Sequence, residues 1–230
     1  MMNILAIGPH PDDIEFGCAA ILIKEVKKGN HVRMLVLSRG EAGTAGTPEI
    51  REQESRKAAA LIGAGIEFIE FGGDCHFAYA PQSAFEIARR IREYKPEIVI
   101  APHPEENQHP DHAVAARLTR DACRFARYGG LKELADLATH QVSSLFFYHI
   151  TQHLRRPDIV IDVTGIMPEW EAAMRCHETQ LKNKRYFELQ TTAARLLGLT
   201  IGVEYAAGLY LNDPLHLETI SEARLSSRNF

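Results

Sequence analysis

The chain reads as an α/β protein: a Rossmann-like, doubly wound, mostly parallel sheet with a C-terminal elaboration. Three observations predict this. Short apolar runs alternate with amphipathic stretches of about 10–15 residues through the first half, the pattern of βαβ units. Right-handed crossovers turn such units into a sheet with helices on both faces. The 230 residues are 45% hydrophobic and 24% charged, a globular balance, and a chain of this size buries about 70% of its unfolded surface without disulfide or metal. No Pro- or Ser-rich linker interrupts the chain and no repeat is visible. It is therefore expected to be one domain, residues 1–230, with a core over about 1–128 and the elaboration over about 129–230.

The elements follow in order. Residues 3–8 form a buried strand. Asp12 or Asp13 can cap a helix reaching about residue 28, and Gly29 supplies its stop. Residues 31–38, with Val32, Leu35, Val36 and Leu37, form a second strand. Residues 39–47 are a flexible, glycine-rich loop. Pro48 suits the first turn of a helix that runs to about residue 61. Residues 67–71 form a third strand, and 81–94 a helix that ends before Pro96. Residues 98–101 form a fourth strand whose loop reaches Asp111, and 112–126 a helix. Beyond Gly130 the pattern loosens. Strands are expected at 145–150, 159–163 and 208–211, and helices at 168–184 and 187–197.

Several function classes are excluded at this level. Net charge is −4 with histidine neutral, and no basic stripe suggests nucleic acid. The apolar runs are strand-sized, short of the roughly 18 residues a membrane span needs. The N-terminus enters a strand without a basic region and apolar core, so no signal peptide is expected. Cys18, Cys75, Cys123 and Cys176 are scattered with no CxxC pair. They are expected to be free core thiols, not zinc ligands, in a reducing, cytoplasmic compartment.

In open parallel sheets, ligands bind outside the carboxyl ends of the strands. After the first strand comes Gly8-Pro9-His10-Pro11-Asp12-Asp13-Ile14-Glu15. After the fourth comes a segment from Pro102 to His112 that contains His109-Pro110-Asp111-His112. The two meet at one edge if their strands are neighbours. A catalytic zinc takes three ligands from His and carboxylate and keeps one position for water. His10, Asp13 and His112 make such a set, and Fe2+ could use it too. Asp12 is placed to take a proton from that water, because adjacent aspartates cannot point the same way. The nearby helix N-terminus favours their ionised forms. Either segment alone is often a cap or a turn; both at equivalent strand ends point to metal-assisted hydrolysis. A dinucleotide enzyme is disfavoured because the first turn lacks GxGxxG. A two-metal phosphoesterase would need a bridging carboxylate and more ligands. A sugar-binding module without catalysis would be expected to lose Asp12 or a ligand. Glu41 in the glycine-rich loop and Asp74 after the third strand could accept hydrogen bonds from sugar hydroxyls, or simply be turn residues. His76 and His103 are expected at the surface, and His177 as a plain packed or exposed helix residue.

The PHPDD segment, the HPDH segment and the loop SRGEAGTAGTPEIR resemble the LmbE/PIG-L family of zinc-dependent N-acetylglucosaminyl deacetylases. The resemblance runs from Ile4 through residues 202–206. Within the family the chain looks most like the bacillithiol-biosynthesis type, which deacetylates N-acetylglucosaminyl malate. Mycothiol-precursor, chitobiose and other sugar deacetylases are close relatives. The resemblance implies His10, Asp13 and His112 as zinc ligands and Asp12 as general base. It implies His109 as the histidine that stabilises transition-state charge or protonates the leaving amine, with Asp111 as its carboxylate partner. Arg51 matches an arginine that meets the substrate or departing acetate. The implied partner is a small-molecule N-acetyl sugar conjugate, with no nucleic acid and no membrane. Related deacetylases are often homo-oligomers, so the resemblance allows a homo-oligomer and leaves the oligomeric state open.

Overall fold

Strand β1 (Asn3–Gly8) is the centre from which the sheet grows in both directions. The computed structural model describes residues 1–105, 108–151, 156–182, 184–223 and 225–226. Glu106 and Asn107, part of the loop expected after the fourth strand, lie outside the described residues. On one side of β1 lie β2 (His31–Val36) and β3 (Gly65–Phe68). On the other lie β4 (Ile98–Pro102) and β5 (Ser144–Tyr148), followed by β7 (Ala206–Leu211) and β6 (Ile159–Asp162). β1 to β5 are mutually parallel. β7 runs antiparallel to both β5 and β6. This is a mostly parallel α/β sheet, as the sequence predicts.

The order reverses between β1 and β4, which pair in register through Ile4↔Ile98 and Ala6↔Ile100. Such a reversal opens a crevice at the carboxyl ends of the two strands. The residues after Gly8 and after Pro102 therefore share one edge.

Alternate side chains of β1 enter different cores, as strand geometry requires. Leu5 and Ile7 pack with Ile87 and Ile91 of α4 (Pro81–Tyr94) and Leu118 of α5 (Pro110–Ala126). Ile4 and Ala6 face the other side. They join α2 (Ala19–Lys27), α3 (Pro48–Ile62), α6 (Met167–Arg175) and α8 (Tyr186–Ile201) through Leu22, Ala58, Trp170 and Ala194. Leu5 and Ile7 are fully buried, so truncating either to alanine costs about 2–5 kcal/mol.

Two helices expected to be continuous are broken. The first stops as α1 (Asp13–Gly17) and restarts as α2 after Cys18, whose φ of −143° and ψ of 0° are not helical. Here Gly17 lies against the ring of Tyr148, where a Cβ would fall 2.2 Å from the ring. The Tyr148 hydroxyl in turn donates to the Ile7 carbonyl. The helix predicted over 168–184 divides into α6 and the short α7 (Glu178–Leu181), with His177 between them at ψ 57°. Smaller differences lie at the ends. α5 begins at Pro110, not at residue 112, because proline is accepted in the first turn and His109 serves as the cap. β2 ends at Val36, and β3 lies at Gly65–Phe68, not at 67–71. Among the described residues no helix is long and apolar enough to cross a membrane.

Candidate active site and metal centre

Asp13 opens α1 and lies between two imidazoles. Its Oδ2 accepts the His10 backbone N–H at 2.9 Å and lies 3.1 Å from His10 Nδ1. Its Oδ1 lies 3.2 Å from His112 Nε2. The three donor groups are buried, and their ligand atoms all lie within 4.8 Å of one another. The loop after β1 and the first turn of α5 thus close on one point, as the sequence predicts. Asp13 reaches the two rings through different oxygens, Oδ2 toward His10 and Oδ1 toward His112, so a two-His, one-carboxylate donor set of the kind that holds a catalytic divalent ion faces one point. The set is borderline in softness and suits zinc or ferrous iron. Burial would raise the Asp13 carboxyl, but His112 and His10 hold it well below the usual carboxylate range. It is therefore ionised and ready to ligate.

Asp12 stands outside this set with its Oδ2 toward Arg51, on a strained backbone of φ +117°. Non-glycine residues rarely adopt this region, and surrounding structure must hold them there. Arg51 on α3 does so: Nη2 donates to the Pro11 carbonyl at 2.9 Å, and Nη1 donates to the Gly40 carbonyl at 3.1 Å. Nη2 also lies 3.6 Å from Asp12 Oδ2. An arginine in a first helical turn is ordinarily solvated, yet Arg51 is 5% exposed. The glycine-rich loop makes this fit, since a Cβ on Gly40 would fall 2.0 Å from Nη1. Burial raises the Asp12 carboxyl; Arg51 pulls it down by less, and Asp13 adds to the rise. Two adjacent carboxyls therefore have proton affinities pushed in opposite directions, which separates a ligand from a base.

Behind the first set lies a second group: Asp74, His109 and Asp111. His10 Nε2 is 3.1 Å from Asp74 Oδ1 and 3.2 Å from Asp111 Oδ2. Asp111 Oδ2 also accepts the Cys75 N–H at 2.8 Å. Asp111 is nearer to His10 than to His109 Nδ1, which is 3.8 Å away. His109 Nδ1 instead accepts the Asp111 N–H, and its Nε2 lies 3.5 Å from Asp74 Oδ1. Burial and the neighbouring His10 push the His109 pKa down, and Asp111 and Asp74 recover only part. Burial pushes the Asp74 carboxyl up, but its hydrogen bond to His10 and the charge of that ring hold it at about 2.

Glu41 and Asp74 each already accept hydrogen bonds within the protein. Glu41 accepts the backbone N–H of Arg39 at 3.0 Å and of Asp74 at 2.9 Å. Its Oε2 thus holds the turn that presents Asp74, while Oε1 holds the start of its own glycine-rich loop. Cys75 departs from the expected core thiol: it is exposed, with φ +68°, and its Sγ is 3.4 Å from His109 Nε2. The loop that carries it lies over the edge of the site. His103 is not a surface group either. The pairing of Pro102 with Tyr148 brings it under His149, with ring centroids 4.4 Å apart.

Two buried pairs escaped the sequence reading. Glu15 and His177 are fully buried and meet at 3.1 Å. Glu54 of α3 accepts both the N–H and the hydroxyl of Thr179. The available signals were weak. Glu15 is a charge between Ile14 and Phe16, and Glu54 lies one helical turn after Arg51.

Residues 5–123, which include both His/Asp segments, match the PIG-L family, described as GlcNAc-PI de-N-acetylase. The diacetylchitobiose deacetylase of Thermococcus kodakarensis is 29% identical over 224 residues, covering 90% of this chain and 82% of that protein. The 4-oxalmesaconate hydratase of Pseudomonas putida is 24% identical over 227 residues, covering 90% of this chain and 88% of that one. Among solved structures, the conserved protein TT1542 of Thermus thermophilus has a TM-score of 0.82 at 31% identity. That likeness covers 94% of this chain and 97% of the other. With more than half of its residues inside the family match, the chain belongs to the PIG-L family of de-N-acetylases.

Proposed function

We propose that the chain hydrolyses the N-acetyl group of an N-acetylglucosaminide, with N-acetylglucosaminyl malate as the first candidate substrate. The observation that carries this reading is the meeting of His10, Asp13 and His112 around one point, with Asp12 next in the chain and outside the set. A divalent ion, zinc or ferrous iron, would be held by those three residues and supplies Lewis acidity toward water and a carbonyl.

Amide hydrolysis has three difficulties: water is a weak nucleophile, the tetrahedral intermediate carries an oxyanion, and an amine anion leaves badly. Asp12, with its raised proton affinity, takes the proton from the attacking water. Arg51 keeps the Pro11–Asp12 turn in its strained form and offers Asp12 a counter-charge. His109 is more exposed than His10 and His112, so of the three it is the group that can reach the reacting amide. From there it stabilises the oxyanion by hydrogen bonding, or, once it has gained a proton against the push of burial and His10, hands one to the nitrogen. Asp74 and Asp111 orient the His10 ring from behind, and Glu41 holds Asp74.

The same fold carries a protein named as a hydratase, and a fold does not decide a reaction. The test is acetate release by the zinc- or iron-loaded protein from N-acetylglucosaminyl malate, the mycothiol precursor and diacetylchitobiose, with 4-oxalmesaconate alongside. Acetate from any sugar supports the reading, and the relative rates name the aglycone. Hydration of 4-oxalmesaconate with no acetate from any sugar would overturn it. The oligomeric state, which the resemblance leaves open, is measured by light scattering.

A further inference from the structure

The stretch from His177 to Gln180 comes from the C-terminal elaboration, yet it touches three separate pieces of the site. His177 Nε2 lies 3.1 Å from Glu15 Oε1, on the helix that Asp13 opens. The Thr179 N–H donates to Glu54 Oε1 at 2.9 Å, and its hydroxyl donates to Oε2 at 2.6 Å. Glu54 lies three residues after Arg51 on the same buried side of α3. Gln180 Nε2 donates to the Ala45 carbonyl at 3.0 Å, inside the glycine-rich loop. That loop is closely fitted here: a Cβ on Gly46 would fall 2.9 Å from Thr179 Cγ2. The loop is also the one Arg51 threads, through the Gly40 carbonyl.

Helix α7 has only four residues, too short to be stable alone. Its place is set by these contacts, and the contacts explain why the helix predicted over 168–184 breaks at His177. Glu54, with both oxygens occupied by one residue, turns that residue into an anchor for α3. The chain thereby fixes α1, α3 and the loop relative to one another from a segment more than 120 residues downstream.

We propose that residues 177–180 form a clasp, in which Thr179 and Gln180 are positioning residues that hold Arg51, and through it the strained Asp12, in working geometry. The kinetic consequence rests on the deacetylase reading above; the structural consequence does not. A misplacement of about 1 Å remote from the chemistry can cost about 100-fold in rate.

Thr179→Val keeps the shape and removes the hydroxyl, and Thr179→Ser restores it. In metal-loaded enzyme, Thr179→Val is expected to accelerate amide exchange in residues 43–47 and to lower kcat about 10–100-fold. Metal content should stay at the wild-type level, and Thr179→Ser should recover most of the rate. In an Arg51→Ala background the same substitution should cost less than about twofold, because residues acting through one another are not additive. Unchanged exchange in 43–47, or a loss that adds in full to that of Arg51→Ala, would overturn the clasp. If the wild-type protein releases acetate from no sugar, the deacetylase reading fails by itself, and the exchange measurement alone decides the clasp.

Discussion

His10 is held from both ends of its ring: Nδ1 lies 3.1 Å from Asp13 Oδ2, and Nε2 lies 3.2 Å from Asp111 Oδ2. A ligating histidine is commonly oriented by a carboxylate on its far nitrogen, which fixes the tautomer and raises ligand basicity. Asp111→Asn should therefore weaken metal binding by about 10–100-fold, measured by competition with a chromophoric chelator. Wild-type affinity in that variant would leave Asp74, also near Nε2, as the group that orients the ring.

Asp12 can be separated from the ligands by its own substitution. Asp12→Ala should keep the metal and lower turnover by about 10²–10⁴-fold, read by steady-state acetate release alongside metal analysis. Turnover near wild type would remove Asp12 from its role as base. Loss of metal would make it a structural part of the centre.

Metal binding should also be visible in stability. An ion that binds only the folded chain adds about 2.7 kcal/mol at 100 times its Kd. For a chain of this size that is a rise in Tm of roughly 5–10 °C. His112→Ala should abolish the metal-dependent rise in calorimetry. A rise that survives would place the ion elsewhere.

The pair of His177 and Glu15 predicts a pH dependence. Burial alone lowers the His177 pKa, but Glu15, joined by the charges of Asp12 and Glu54, outweighs it, and the net result lies above the ordinary 6.5. The folded chain thus holds this proton more tightly than the unfolded chain does. Its contribution is complete below about pH 6.5 and is lost as pH rises through the folded-state value. The wild-type urea midpoint should fall over that range, and in His177→Gln this part of the fall should disappear. Parallel pH profiles for the two proteins would remove the pair as its source.

The strand-helix alternation and the two His/Asp segments were legible because both are local. A strand followed by a capping aspartate needs only neighbours in the chain, and the ligand types at His10, Asp13 and His112 are a matter of residue chemistry. β1 and β4 then had only to be adjacent, which doubly wound topology permits. The sequence by itself determined the alternation that builds the parallel part of the sheet and the candidate donor set of His10, Asp13 and His112. Tertiary structure alone decided which charges are buried and what they face. Arg51, Glu54 and Glu15 look like ordinary surface charges along their helices. They are buried because the glycine-rich loop and the 177–180 segment cover them. No periodicity encodes that cover, because a hydrogen bond between residues 125 or more positions apart leaves no trace in the pattern of either partner.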